Sequence, residues 1–99
     1  MPEFAEAKEL VAYLERQNFE VMWAREGQSA YDILDAEPVD ALICGLKEEH
    51  IDGLRLQQVG RQRNREICGI VVAGPEEIEL GIEAMRQGAY DCQLRPLSL

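Results

Sequence analysis

Length, composition and charge restrict this chain to a small folded domain with few classes of partner. Its 99 residues are 46% hydrophobic, and 19 acidic against 10 basic side chains give a formal net charge of −9. That apolar content is enough for a packed core, although a domain of this size buries only roughly 60–65% of its unfolded surface. Phosphate contacts need clustered cations. We therefore expect one domain over residues 1–99, with no direct nucleic-acid binding and no membrane binding.

Neither the apolar segments nor the cysteines indicate an exported protein. No apolar run approaches the roughly 20 residues that cross a bilayer, and Met1–Glu6 lacks the basic and apolar regions of a secretory signal. The widely spaced Cys44, Cys68 and Cys92 fit neither a disulfide framework nor a zinc site. We expect a cytoplasmic protein with reduced, buried thiols. A redox pair of Cys44 and Cys92 is the alternative, but no basic neighbour or C-x-x-C context activates them.

The N-terminal segment predicts a helix followed by a short strand. The helix is expected from about Glu3 to Gln17, because apolar residues recur there at the spacing of one helical face. The residues of that face are Ala7, Leu10, Val11 and Leu14. Asn18 suits the C-terminal cap, since asparagine tolerates the left-handed conformation. Phe19–Ala24, which contains Val21 and Trp23, predicts a short strand.

The middle of the chain predicts a helix, a buried strand and a loop. A second apolar helical stripe, formed by Ala30, Ile33 and Leu34, stops before a proline. Ala41–Cys44 is a continuous apolar run, which is typical of a strand covered on both faces. Gly45–Asp52 is rich in charged residues and predicts a loop.

Two further helix–strand pairs follow. Gly53–Arg63 predicts a helix and Ile67–Ala73 a strand, and Pro75 suits the first position of another helix before a final strand at Ala89–Leu94. The buried side of that last helix is expected to consist of Ile78, Ile82 and Met85, with Gly88 as its cap. Alternation of helices and strands indicates an α/β fold, with a parallel sheet and helices on both faces.

Four short motifs carry a resemblance to a known family. They are Asp40-Ala41-Leu42-Ile43-Cys44, Ile51-Asp52-Gly53-Leu54, Ala84-Met85-Arg86-Gln87-Gly88-Ala89 and Arg95-Pro96. Their order and spacing over nearly the whole chain resemble the receiver domain of two-component response regulators. The resemblance implies a flavodoxin-like receiver fold and a role in signal transduction.

Compared with that family, both ends of the fold are expected to be incomplete. The family's fold begins with a central strand before the first helix and ends with a fifth helix, and this chain has no residues for either. A missing central strand would leave the Ala41–Cys44 strand beside the Phe19–Ala24 strand, or an open slot between them with unpaired backbone groups. The chain is then a shortened piece of a larger regulator, or another copy covers the gap. Val21 and Trp23 would be possible interface residues.

The resemblance also locates the positions of receiver chemistry, and the expected groups are absent there. The phosphoacceptor position is Gly45, which has no side chain. The hydroxyl position after the fourth strand is Ala73, the switch-aromatic position is Cys92, and the lysine position is Arg95. We expect a degenerate receiver with no catalytic residues.

The metal site of the family is also expected to be lost. The two acids that hold magnesium would fall near Met1 and Pro2, with only Glu3 close by. One carboxylate does not make the usual site, which draws on two acids, the phosphoacceptor and a backbone carbonyl. We expect no metal and no cofactor.

Three functions compete. The leading hypothesis is a non-enzymatic, phosphorylation-independent regulatory domain that acts by protein contact or homodimerisation, as at the N-terminus of enhancer-binding transcription activators. The alternative is a stand-alone adapter that binds a partner kinase or regulator. An enzyme with its site at the carboxyl ends of the strands ranks third, because Gly45, Ala73 and Arg95 offer no nucleophile or general base.

Two polar features have ordinary explanations. His50 lies in an acidic loop with no second ligand at useful spacing, so a solvated residue is preferred to a metal ligand or phosphoacceptor. Arg61, Arg63 and Arg65 form the one basic cluster. Cations at a helix C-terminus interact favourably with the helix dipole, and this explanation is preferred to nucleic-acid binding.

Overall fold

A three-stranded parallel sheet is the framework of this chain, whose computed structural model describes residues 2–48 and 51–95. The helices are α1 (Pro2–Arg16), α2 (Gly27–Ala36), α3 (Gly53–Arg63) and α4 (Ile78–Arg86), and a 3₁₀ turn at Pro75–Glu77 precedes α4. The strands are β1 (Ala41–Gly45), β2 (Lys47–Glu48), β3 (Ile51–Asp52), β4 (Cys68–Ala73) and β5 (Asp91–Leu94). The parallel sheet has the order β1-β4-β5, while β2 and β3 form a small antiparallel pair in the segment expected to be a loop.

The predicted helices all form, and their ends follow local signals. α1 ends at Arg16, and Asn18 after it has a φ of 70°, in the left-handed region expected of this cap. The carboxylate of Asp52 accepts a hydrogen bond from the Arg55 backbone N–H at 3.1 Å and caps α3. Gly88, with a φ of 106°, follows α4.

The predicted strand at Phe19–Ala24 is wrong. These residues form neither helix nor strand, because a strand needs a hydrogen-bonded neighbour. In the part of the chain that the structure describes, β4 is the only strand paired with β1. Residues 19–24 therefore form no hydrogen-bonded ladder with the other edge of β1. The Trp23 side chain is 36% exposed, and the Arg25 guanidinium lies 4.6 Å from its ring centre. Val21 is half-buried.

Two apolar clusters form the core on the face of the sheet covered by α2, α3 and α4. One lies between the sheet and α4 and consists of Leu46, Val71, Ala73, Ala84 and Ala89. The other lies under α2 and α3 and consists of Ala30, Leu34, Leu56 and Ile67. α1 makes no extensive packing contact with the other described elements, and the described side chains of its apolar face remain partly exposed.

The predicted buried side of α4 is also wrong. Ile78 and Ile82 are each 50% exposed and Met85 is 42% exposed, whereas Gly81 and Ala84 are buried. The helix lies so close to the sheet that a Cβ atom at Gly81 would be 2.9 Å from the Cys92 sulfur. Only small side chains fit between α4 and the sheet, so the large apolar residues of α4 point away from the core.

The start of α3 is packed against the end of β1. A Cβ atom at Gly53 would overlap the carbonyl oxygen of Gly45, and it would lie 2.9 Å from the Cα of Leu46. The Gly53 N–H also donates to the Leu46 carbonyl at 3.2 Å. The glycine of the Ile51–Leu54 motif is therefore required by backbone contact.

We predict that Gly53→Ala lowers the free energy of unfolding by about 2–3 kcal/mol, because a methyl group cannot be placed without moving the β1 backbone. Urea unfolding followed by circular dichroism measures the change. Gly74→Ala is the matched control: its Cβ would meet only the Glu76 side chain, so we expect a loss below about 1 kcal/mol. Equal losses in the two variants would contradict the explanation.

Candidate functional site

The carboxyl edge of the sheet brings together three of the residues singled out from the sequence. β1 ends at Gly45, β4 at Ala73, and β5 one residue before Arg95. The parallel register pairs Gly45 with Val72 and Ala73 with Leu94. The Arg95 backbone N–H donates to the Ala73 carbonyl at 3.0 Å. In a parallel α/β sheet this is the edge at which ligands are bound.

At β1 this edge presents only backbone. Gly45 has no side chain, and its carbonyl is packed against Gly53. The next residue, Leu46, is 4% exposed, and its side chain belongs to the core cluster with Val71 and Ala73. No nucleophilic side chain is attached to the end of this strand.

At β4 the edge is apolar and closed. Ala73 is fully buried against the core cluster, and its methyl group neither donates nor accepts a hydrogen bond. The N–H of the next residue, Gly74, donates a hydrogen bond to the Glu77 carboxylate at 2.8 Å. Glu77 is buried, and this bond lies within the 3₁₀ turn. Glu77 therefore stabilises the start of the helical segment.

Cys92 lies inside the sheet and not at its edge. Its side chain is half-buried and packs against the cluster around Leu46 and Ala73, beneath Gly81. Burial raises the pKa of the Cys92 thiol above its ordinary 9.0, and the Asp91 carboxylate raises it further. This position holds a protonated, poorly nucleophilic thiol at neutral pH.

Cys44 and Cys92, which the sequence offered as an alternative redox pair, do not lie on neighbouring strands. Cys44 pairs with Val71 in β4, and Val71 pairs with Cys92 on the other side. Two strand spacings of about 4.8 Å separate the two cysteine backbones by about 9.6 Å. That exceeds the roughly 7 Å limit for a disulfide, so no intramolecular redox pair can form without rearrangement of the sheet.

Gln57 is a buried polar residue of α3 that the candidate residues from the sequence do not include. Its amide nitrogen lies 3.3 Å from the Cys44 sulfur and donates to the Ile70 carbonyl at 3.4 Å. Its amide oxygen is buried without a hydrogen-bond partner among the described residues, and it occupies the place that a Cβ atom at Gly69 would take. An unsatisfied buried acceptor has a cost, so this contact between α3 and the sheet is less stable than an apolar one. A single glutamine in an apolar stripe was the available signal.

The other candidates lie elsewhere or outside the description. Val21 and Trp23 lie in the segment that precedes α2. Met1, Glu49 and His50 lie outside the described residues, and Pro2 and Glu3 begin α1. Within residues 2–48 and 51–95, no three His, Cys, Asp or Glu side chains are grouped as metal ligands. In the same residues no helix is long and apolar enough to span a bilayer.

The parallel sheet with its helices has the fold of a receiver domain. The family model described as "Response regulator receiver domain" matches residues 3–99. The chain therefore belongs to the response regulator receiver family. Members of this family take part in two-component signal transduction and transcription regulation, and they contact kinases or one another.

Curated relatives include response regulators of two kinds. The putative response regulator NtrX-like of Rickettsia felis is 30% identical over 91 residues, which cover 90% of this chain and 19% of the relative. The transcriptional regulatory protein QseB of Haemophilus influenzae is 23% identical over 86 residues, covering 87% and 39%. The chain thus spans a fifth to two fifths of the length of these relatives.

Solved structures confirm the flavodoxin-like receiver fold. The receiver domain of NtrX from Brucella abortus has a TM-score of 0.76 at 28% identity and covers 95% of this chain and 81% of that one. A response regulator from Burkholderia pseudomallei, solved with a phosphorylated aspartic acid, a calcium ion and citrate, has a TM-score of 0.86 at 22% identity and covers 98% and 57%.

The raised pKa of Cys92 predicts a loss of stability at alkaline pH. A thiol whose pKa is higher in the folded chain contributes stability below its unfolded value of 9.0, and this contribution is lost as the pH rises through the folded pKa. We expect the free energy of unfolding to fall less steeply above pH 9.0 in Cys92→Ala than in the wild type. Urea titrations at a series of pH values measure the slopes. Parallel curves for Cys92→Ala and the wild type would contradict the prediction.

Proposed function

We propose that this chain is a single cytoplasmic receiver-like domain, not an enzyme, that regulates by protein contact without being phosphorylated. The observation that carries the proposal is the end of β1, where Gly45 offers only backbone at the phosphoacceptor position. Ala73 lacks the hydroxyl that would sense a phosphoryl group, Cys92 lacks a mobile ring, and Arg95 replaces the lysine. Acyl phosphate formation needs a carboxylate nucleophile, so the signal must come through binding.

An exposed apolar surface supports the contact role. Helical spacing places Ile78, Ile82 and Met85 on one side of α4, and all three are well exposed. Strand alternation places Tyr90 and Leu94 on the same side of the sheet as Cys92, which faces α4, and they are 74% and 56% exposed. We call these five residues the α4–β5 surface. Exposed apolar groups concentrated in one place are typical of an interaction site.

The partner that we propose for the α4–β5 surface is a second copy of the chain. A symmetric contact would bury the same apolar side chains twice and needs no phosphoryl group to form. Val21 and Trp23 are candidate residues for a secondary contact. By similarity to the NtrX-like and QseB regulators, the proposed output is transcription regulation.

The first test is a phosphoryl mimic. We expect beryllofluoride with magnesium to leave the ¹H–¹⁵N NMR spectrum of the chain unchanged, because Gly45 supplies no carboxylate for beryllium and no metal ligand. An active receiver measured under the same conditions is the positive control. Saturable shift changes centred on Gly45 and Ala73 would show that the phosphorylation site is still functional and would overturn this part of the proposal.

The second test concerns the α4–β5 surface. We expect Ile82→Ser to weaken self-association by at least about tenfold, because two copies of a half-exposed isoleucine leave the contact. Sedimentation velocity over a range of concentrations measures this effect. Leu80→Ser is the matched control, since Leu80 is 37% exposed on the other flank of α4. A wild-type chain that stays monomeric would contradict the dimer and favour the stand-alone adapter.

A further inference from the structure

The basic side chains of this acidic protein are concentrated around α3. Residues 53–65 contain four arginines and no acidic residue, whereas residues 1–40 contain ten acids and three bases. The arginines are Arg55, Arg61, Arg63 and Arg65. The overall composition, with a net charge of −9, does not account for this local positive charge.

The structure divides these arginines between two sides of α3. Arg63 forms an ion pair with Asp35 of α2. Arg61 and Arg65 lie elsewhere and line a groove beside α4, which we call the α3–α4 groove. Its residues are Gln58, Arg61, Gln62, Arg65 and Gln87. The three arginines that are close in sequence are therefore separated in the structure. Arg63 joins α3 to α2, whereas Arg61 and Arg65 share a groove.

Neither groove arginine has a partner in the part of the chain that the structure describes. No carboxylate forms an ion pair with Arg61 or Arg65, and neither guanidinium donates a hydrogen bond. The acid on the neighbouring turn of α4, Glu83, is already engaged: it accepts a hydrogen bond from Gln87 at 2.9 Å and lies 3.9 Å from Arg86. A favourable interaction with the dipole of α3 explains why cations lie near the end of that helix. It does not provide hydrogen-bond acceptors for the guanidinium N–H groups of Arg61 and Arg65.

The groove is held in place by contacts between its two helices. The Gln58 amide donates to the Gln87 amide oxygen at 2.6 Å and joins α3 to α4. The Arg61 guanidinium lies over Gly88, where any Cβ atom would overlap it. Gly88 has a φ of 106°, which independently disfavours a side chain. Arg61 is half-buried, so part of its side chain is already removed from water beside α4.

We propose that the α3–α4 groove binds an acidic segment of a partner protein, whose carboxylates form ion pairs with the guanidinium groups of Arg61 and Arg65. A guanidinium binds a carboxylate through two parallel hydrogen bonds, and the exposed Gln62 amide suits a peptide backbone. A nucleic acid fits less well, because its long phosphate backbone would extend beyond the groove over a protein of net charge −9, whereas a short acidic segment can be confined to the two arginines. The site lies on the flank of α4 opposite Ile78, Ile82 and Met85, so it is separate from the α4–β5 surface and does not depend on the dimer.

The test uses fluorescein-labelled hexaglutamate and the whole chain, with fluorescence anisotropy as the readout. We expect saturable binding that weakens as salt is added. The double variant Arg61→Gln/Arg65→Gln should weaken it by about five- to tenfold, as two exposed ion pairs are lost. Arg16→Gln/Arg55→Gln is the matched control, because it removes the same charge at two exposed positions outside the groove. It should change the affinity by less than about twofold.

Three outcomes would overturn the proposal. They are the absence of saturable hexaglutamate binding, an equal loss in both double variants, and binding of a twelve-residue oligothymidylate as tightly as hexaglutamate. Circular dichroism of each variant checks the fold. NMR shifts induced by hexaglutamate should map to Gln58, Arg61, Gln62, Arg65 and Gln87, and a map centred on the α4–β5 surface would also contradict the assignment.

Discussion

The pairing of β4 with both β1 and β5 is the interaction on which the rest of the structure depends. β4 supplies the hydrogen bonds of both ladders, and its Val71 and Ala73 are fully buried under α4. Because all three strands are parallel, their carboxyl ends coincide, and Gly45, Ala73 and Arg95 meet at one edge. The same pairing holds Cys44 and Cys92 on opposite sides of β4. The three strand ends are thus placed as in a receiver site, and the proposed function takes this edge to lack the reactive groups.

The second constraint is the close approach of α4 to the sheet. Gly81 and Ala84 allow a short distance between helix and strands, and Cys92 fills the space beneath them. A helix so close cannot bury its large side chains, so Ile78, Ile82 and Met85 are left exposed. The apolar residues that periodicity identifies as a core face then form an external surface. In the proposed function, this surface would couple two copies of the chain by contact alone.

The two flanks of α4 differ in chemistry, which allows two kinds of contact. One flank is apolar and continues onto β5, whereas the other faces α3 and carries amides and arginines. Apolar burial supplies affinity for a matching surface, and unpaired guanidinium groups supply selectivity for carboxylates. A regulator that binds a second copy and an acidic partner at once would use both flanks without competition between them.

The sequence by itself determined the class of fold and the order of helices, because periodicity and turn residues are local properties. Gly45, Ala73, Cys92 and Arg95 were assigned as degenerate positions through the resemblance to receiver domains, and this assignment stays a prediction. Only the tertiary structure decided that Phe19–Ala24 forms no strand, that the apolar stripe of α4 faces outward, and that Arg61 and Arg65 share a groove from which Arg63 is absent. The reason is physical. A strand needs a neighbour, and a face is buried or exposed according to what packs against it. Both conditions depend on residues that are distant in the sequence, so the local sequence of a segment does not show whether they are met.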